Sequence, residues 1–274
     1  MKDRAVVEEK LRRMIAGGKE KLQIITDFDR TLSKYHHNGE LTKSSYCVFE
    51  SVPSLPTNFV EGAQALYKRF RVIEDNPNMT TEEKLPHMKE WWNLNEKLFI
   101  DVKYEEHEME SAVVNSNVHL RVGTEDAFRK LSASGVPVLV FSAGVGDVVK
   151  AIMRHYAIDH PNVHVISNFF KWENGFITGF QGTLIHIYNK NQHAIENSDY
   201  FQELSHRENV ILMGDSLGDS NMAEGVPGNG TVLKIGFLCG TIDEYLPQYL
   251  ESFDIVLCDD QTMNVFNSIL KLIL

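Results

Sequence analysis

Short apolar runs recur along the chain, and several stop abruptly at small or charged residues. Leu22-Gln23-Ile24-Ile25-Thr26 ends at Asp27-Phe28-Asp29-Arg30-Thr31-Leu32. Val136-Pro137-Val138-Leu139-Val140-Phe141 runs into Ser142-Ala143-Gly144. Asn209-Val210-Ile211-Leu212-Met213 runs into Gly214-Asp215-Ser216-Leu217-Gly218-Asp219. Val163 to Ser167, Thr231 to Phe237 and Asp254 to Leu257 share this texture. Such continuous apolar runs predict strands covered on both faces, as in a parallel sheet. Helical spacing alternates with them. Val6, Val7, Leu11, Met14 and Ile15 predict a helix closed by Gly17-Gly18, and Glu125 to Ser134 a helix closed by Gly135. Asp147 to Tyr156 and Met263 to Leu272 predict two more. Asn174-Gly175 predicts a tight hairpin turn. The alternation implies an α/β architecture.

From about Glu40 to Val122 the rhythm changes. Glu-, Lys- and Met-rich helical stretches replace the β-branched runs. Thr80-Thr81-Glu82-Glu83-Lys84 predicts a helix start, with Thr followed by acids in the first turn, and Glu105 to Asn115 predicts another helix. We read 40–122 as a helical insertion and 1–39 with 123–274 as one α/β core. The 274 residues, 43% hydrophobic and 24% charged, suit one large globular domain carrying an insertion. The net charge of −11 argues against a surface for nucleic acid polymers, although a metal and one Lys can reverse the sign locally. Cys47, Cys239 and Cys258 show neither zinc spacing nor a disulfide framework. No apolar run approaches the roughly 18–20 residues of a membrane span, and the charged N-terminus lacks a signal-peptide core. A cytoplasmic monomer is expected.

The chemistry concentrates at the ends of the predicted strands. Asp27 and Asp29 stand two apart after the first run, so strand alternation would aim them the same way. In open α/β sheets that edge is where ligands bind. Two acids and Thr31 there could hold a divalent cation and a phosphate together. Ser142, Lys190 and the pair Asp215/Asp219 follow along the chain.

The order acid pair, hydroxyl, lysine, acid pair, with Asp-x-Asp-x-Thr first and Gly-Asp-x-x-x-Asp last, resembles the haloacid dehalogenase superfamily. Ile24 to Ser33, Phe141-Ser142-Ala143-Gly144, Leu184-Ile185-His186, Gly214-Asp215-Ser216 and Leu233-Lys234-Ile235-Gly236 resemble its cytosolic 5′-nucleotidase III (pyrimidine 5′-nucleotidase) family. Leu85-Pro86-His87-Met88, Glu90-Trp91-Trp92 and Gly225-Val226-Pro227-Gly228 are more similar to the B-type, 7-methylguanosine phosphate-specific form. The missing membrane spans set aside the ion-pumping ATPases, which carry a similar aspartate motif.

The resemblance implies a haloacid dehalogenase-like Rossmannoid core with a parallel sheet, plus a smaller helical cap domain inserted after the first strand. It implies Mg²⁺-dependent hydrolysis of nucleoside 5′-monophosphates, 7-methylguanosine monophosphate and also cytidine monophosphate, through an aspartyl phosphate on Asp27. Asp29 would be the acid and base. Asp27, the Asp29 carbonyl and Asp215 would hold Mg²⁺, with Asp219 behind them. Thr31, Ser142, the Ala143 amide and Lys190 would hold the phosphoryl oxygens. Glu74 would accept hydrogen bonds from the base, Trp92 and Tyr46 would sandwich it, and Asn95 would contact substrate from one turn beyond Trp92. Adjacent helix positions do not share a face, so at most one of Trp91 and Trp92 is expected in the pocket, and both could instead be core aromatics. Arg30 stands where this family usually has Met and is expected to point away from the site. Two other readings remain: a different small-molecule phosphatase, such as one for phosphoserine, and a nucleotide-binding module without turnover. Phosphotransfer to a nucleoside would use the same intermediate as hydrolysis.

Overall fold

The computed structural model describes residues 1–74, 76, 79–186, 189–190, 204, 206–224, 226 and 229–274. Gly225, Pro227 and Gly228 of the B-type resemblance lie outside the described residues. At its centre is β1 (Leu22–Thr26), five buried residues. The chain then forms a small antiparallel pair, β2 (His36–His37) and β3 (Glu40–Leu41), followed by four helices: α2 (Ser45–Phe49), α3 (Thr57–Glu74), α4 (Thr81–Phe99) and α5 (Glu106–Asn115). Next come α6 (Thr124–Ala133), β4 (Val138–Val145), α7 (Gly146–His155), β5 (Val163–Asn168), the pair β6 (Phe170–Glu173) and β7 (Phe176–Phe180), and β8 (Asn209–Gly214). A 3-10 turn (Leu217–Asn221), β9 (Val232–Leu238), α8 (Ile242–Ser252), β10 (Ile255–Cys258) and α9 (Asn264–Ile273) complete the chain, which begins with α1 (Arg4–Gly17).

The large sheet has the order β10-β9-β8-β1-β4-β5, and every pairing in it is parallel. The predicted strands are all present. β1 lies between β4, the next strand of this sheet in sequence, and β8, which begins the other half. Strand order therefore reverses beside β1, where open α/β sheets form a crevice at their C-terminal edge. Thr26 pairs with both Val140 and Met213, so the residues just beyond each pairing, Asp27, Phe141-Ser142 and Gly214-Asp215, come out on one edge. β4 runs further than predicted, to Val145, and its pairing with β5 slips between Phe141 and Val145. Such an irregularity bends a strand and re-aims side chains, and here it falls on Ser142 to Gly144.

Local chemistry explains the element ends. Thr80 caps α4 in a capping box with Glu83. Asn174 and Gly175 take φ of 52° and 82° between β6 and β7, the left-handed pair of a type I′ turn, which Asn-Gly adopts cheaply.

The helices of residues 45–115 leave and rejoin the sheet side by side. Ser33 bridges Leu120, Lys34 N–H donates to the His119 carbonyl at 2.7 Å, and Lys43 N–H donates to that of Asn117 at 3.0 Å. These helices share their core with β6–β7. Phe49, Phe99, Phe170 and Phe180 meet at centroid distances of 5.0–5.4 Å. The backbones of Asp101 and Ile177, and of Ile177 and Val102, are joined at 2.9 Å. Among the described residues no helix is long and apolar enough to cross a membrane.

The loop after β1 is tied down by Arg121, which is fully buried. Its Nε donates to the Thr31 carbonyl at 2.8 Å, one Nη to the Arg30 carbonyl at 2.5 Å, and the other to the Asp260 carbonyl. Its guanidinium lies 4.0 Å from the Phe237 ring centroid. Replacing it strands three carbonyls, each worth about 1–3 kcal/mol when left unpaired in the interior. Arg121→Met is expected to lose about 3 kcal/mol of stability or more, read as a lowered urea midpoint at unchanged slope.

Candidate active site

A cleft of about 1110 Å³ opens over the C-terminal edge of the sheet. Asp27, Asp29, Ser142, Ala143, Lys190, Asp215 and Asp219 line its floor. Tyr46, Glu74, Trp91, Trp92 and Asn95 line its helical wall.

Lys190 is the hub of the floor. Its buried ammonium contacts Asp27 Oδ1 and lies 2.9 Å from Asp219 Oδ1. Asp219 is otherwise spent on its own loop: its Oδ2 accepts from the N–H of Asp215 and of Ser216, and from Ser216 Oγ, at 3.2, 2.9 and 2.8 Å. Asp27 Oδ2 has no hydrogen-bond partner although it is buried. Asp27, Asp215 and Asp219 each offer an oxygen within 4.8 Å of the others. Three carboxylates thus face one ammonium, an arrangement that a divalent cation would balance. Hard oxygen donors suit Mg²⁺, which takes carboxylates plus substrate oxygens. The orphaned Asp27 Oδ2 gives such an ion a ligand, so the residues fit it.

The charges perturb one another. Burial, then Asp219 and Asp215, push the Asp27 carboxyl well above the carboxylate range, with Lys190 opposing. Burial and Asp219 push Asp215 up to about 6, against Arg30, Lys190 and Arg121. Burial alone would lower Lys190, but Asp219 and Asp27 outweigh it and hold the ammonium charged. Burial likewise raises Asp29, against the donors of Ser45.

A family model described as Pyrimidine 5′-nucleotidase (UMPH-1) matches residues 30–274. The chain belongs to the pyrimidine 5′-nucleotidase family. It is 42% identical to the 7-methylguanosine phosphate-specific 5′-nucleotidase of Homo sapiens, over 98% of this chain and 90% of that one. The crystal structure of cytosolic 5′-nucleotidase IIIB bound to cytidine superposes with a TM-score of 0.95 at 39% identity, covering 100% of this chain and 92% of that one. A phosphoserine phosphatase solved as a phospho-aspartyl intermediate analogue shares the fold, with a TM-score of 0.53 at 18% identity over 91% of this chain and 98% of that one. This pyrimidine 5′-nucleotidase family member is therefore an enzyme, a 5′-nucleotidase on a haloacid dehalogenase-type α/β fold.

Within this nucleotidase the expected residues fall as follows. Asp27 and Asp29 both line the cleft, but not through strand alternation, because β1 ends at Thr26 and a turn follows. Thr31 is buried and its Oγ donates to Asp215 Oδ1 at 3.3 Å. Ser142 Oγ accepts from Gly144 N–H at 3.0 Å. Tyr46 donates its hydroxyl to Asn95 Oδ1 at 2.8 Å. Glu74 pairs with Arg71 at 2.5 Å.

Two expectations need correction. Arg30 does not point away. Its backbone turns left-handed, with φ of 63°, the residue lines the cleft, and its guanidinium lies 5.1 Å from the ring centroid of Tyr35, another lining residue. Trp91 and Trp92 both line the cleft, because the cleft wraps two sides of α4. Trp91 stacks on Phe70 at 5.8 Å, and Trp92 meets Phe180 edge-on at 5.9 Å. Trp92 also packs against the core, so lining and packing roles coincide in one ring.

Sequence reasoning missed Arg71, which carries no motif, and Asn168. Asn168 Nδ2 donates to the Ala143 and Ile185 carbonyls at 3.0 and 2.9 Å, and its Oδ1 accepts from Ile185 N–H at 2.8 Å. An Asn closing the short strand β5 was the available signal.

Lys190→Met is expected to cost about 3–5 kcal/mol at pH 7 without metal, since Asp27 and Asp219 lose their counter-charge. Without the ammonium, the Asp27 carboxyl, already raised by burial, rises further above its unfolded value. The deficit relative to the unsubstituted protein is therefore smallest in acid, where the Asp27 carboxyl is protonated in both, and grows as pH climbs towards neutrality, which thermal melts with a chelator would show.

Proposed function

We propose that this enzyme hydrolyses nucleoside 5′-monophosphates with Mg²⁺, acting on 7-methylguanosine monophosphate and also on cytidine monophosphate. The buried, unpartnered Asp27 Oδ2 beside the Lys190 ammonium carries this reading. The carboxylate has two oxygens for two tasks, one to attack phosphorus and the other to bind Mg²⁺, and Oδ2 is kept free for one of them. The Asp27 carboxylate attacks phosphorus in line and forms an aspartyl phosphate. Asp29 gives a proton to the departing O5′, then takes one from the water that hydrolyses the intermediate. Lys190, Ser142 and the Ala143 amide hold the phosphoryl oxygens, and such fixed charge supplies most of phosphoryl-transfer catalysis. Asp27, the Asp29 carbonyl and Asp215 would hold Mg²⁺, with Thr31 and Asp219 fixing the Asp215 loop. Bound there, the ion would neutralise charge on the phosphoryl group.

Residues 40–122 act as the specificity segment in this reading. Trp92 and Tyr46 stack on the base, Glu74 accepts from its edge, and Asn95 steadies Tyr46. A 7-methylated guanine is cationic, and aromatic faces attract cations by about 0.5–2 kcal/mol. The names of the human relative and of the cytidine-bound structure support these two bases. The latter, named cytosolic, also supports a cytoplasmic location.

Phosphate release across a nucleotide panel tests the reading. Turnover is expected with Mg²⁺ and is lost with a chelator, and Asp27→Asn binds nucleotide but falls at least 10³-fold in rate, roughly what loss of a nucleophile costs. Normal turnover by that variant would exclude Asp27 as the nucleophile. Trp92→Ala should raise KM for 7-methylguanosine monophosphate more than for cytidine monophosphate, by about ten-fold against a few-fold. Equal increases would place Trp92 outside the base stack.

A further inference from the structure

Among the described residues, Ser45 alone holds the Asp29 carboxyl. Ser45 N–H donates to Asp29 Oδ1 at 2.7 Å, and Ser45 Oγ donates to Asp29 Oδ2 at 2.5 Å. Ser45 is fully buried and opens α2, the first helix beyond β2–β3, with Ser44 as its cap. The third wall is Gly144, in the irregular stretch of β4. A Cβ there would lie 2.1 Å from Ser45 Oγ and 3.0 Å from Asp29 Oδ2. Glycine is therefore required for this close approach. The turn after β1, the start of α2 and the bend of β4 thus converge on one carboxyl group.

A carboxyl group free to rotate presents its lone pairs in many directions. Two donors on one residue, one to each oxygen, fix both its swing and its plane. Each carboxylate oxygen has a second lone pair, so the two bonds leave the remaining pairs free to exchange protons with groups in the cleft. Orientation of this kind matters steeply, since a misplacement of about 1 Å can cost about 10²-fold in rate.

We propose that Ser45 is the positioning residue for Asp29, setting the orientation in which that carboxyl protonates the departing O5′. This rests on the reading of Asp29 as the acid and base. It also places the orienting group on the helical segment, so the seating of α2 against the sheet edge sets the readiness of the acid.

The test varies the leaving group. Ser45→Ala removes the Oγ contact and keeps the backbone N–H. Cytidine 5′-monophosphate is compared with its analogue in which sulfur replaces the bridging O5′. An alkoxide needs a proton to leave, whereas a thiol such as that of cysteine ionises at about pH 8.5 and departs as thiolate. kcat/KM covers steps up to formation of the phosphoenzyme and isolates this event. For Ser45→Ala, kcat/KM on cytidine monophosphate is expected to fall ten-fold or more, and on the thio analogue three-fold or less. Ser45→Thr keeps both donors and should hold the ratio of the two substrates within three-fold of that of the unsubstituted enzyme. If Ser45→Ala does not fold, Ser45→Cys, a weaker donor of similar size, must show the same skew. Equal losses on both substrates, or no loss on either, would overturn the positioning role. Absence of turnover on cytidine monophosphate by the unsubstituted enzyme would overturn the functional reading, and the positioning role with it.

Discussion

The ammonium of Lys190 between the carboxylates of Asp27 and Asp219 is the contact on which the site depends. Burying any one of these charges alone would be prohibitive. Together they are tolerable only when three distant parts of the chain arrive at one point: the end of β1, the segment before β8, and the loop after β8. The parallel register that pairs Thr26 with Met213 delivers two of them to the same edge. Asn168, bridging Ala143 to Ile185, steadies the irregular end of β4 and the start of the segment that leads to Lys190. Arg121 steadies the turn after β1 from beneath. The remaining imbalance, three acids against one base, is the property that makes the site receptive to a divalent ion and an anionic ester.

What the sequence showed depended on range. The buried strands are continuous apolar runs, and the turn at Asn174-Gly175 and the cap at Thr80 are local chemistry, so all could be read from neighbours in the chain. The strand-end acids could be placed because parallel topology delivers strand ends to one edge of the sheet, although alternation stops short of them at Thr26. Arg121, Ser45 and Arg71 act across tens of residues or within a helix of no distinctive pattern, and no local signal marks them. Arg30 was misplaced because alternation was extended past the end of β1. A single left-handed residue there reverses the expected direction of its side chain. Trp91 was misjudged because a helix beside a wide cleft can present more than one face to it.

The α/β core is shared with phosphoserine phosphatases at low identity, so the fold leaves the leaving group undecided. In the proposed reading discrimination falls to the helices of residues 45–115, which wall the cleft with aromatic rings and with the Arg71–Glu74 pair. Those helices share packing with the rest of the chain. Their core runs through Phe49 and Phe99 into β6–β7, and α2 reaches the floor through Ser45. Recognition and chemistry are thus mechanically joined.

The most direct measurement is chemical trapping of the enzyme during turnover. Substrate labelled in its phosphate is mixed with enzyme and Mg²⁺, quenched in acid, and the protein is then reduced with borohydride and mapped by mass spectrometry. The account predicts label on the protein within one turnover and conversion of Asp27 alone to homoserine. Label on Asp29 or Asp215, or no trapped phosphate while product accumulates, would contradict it.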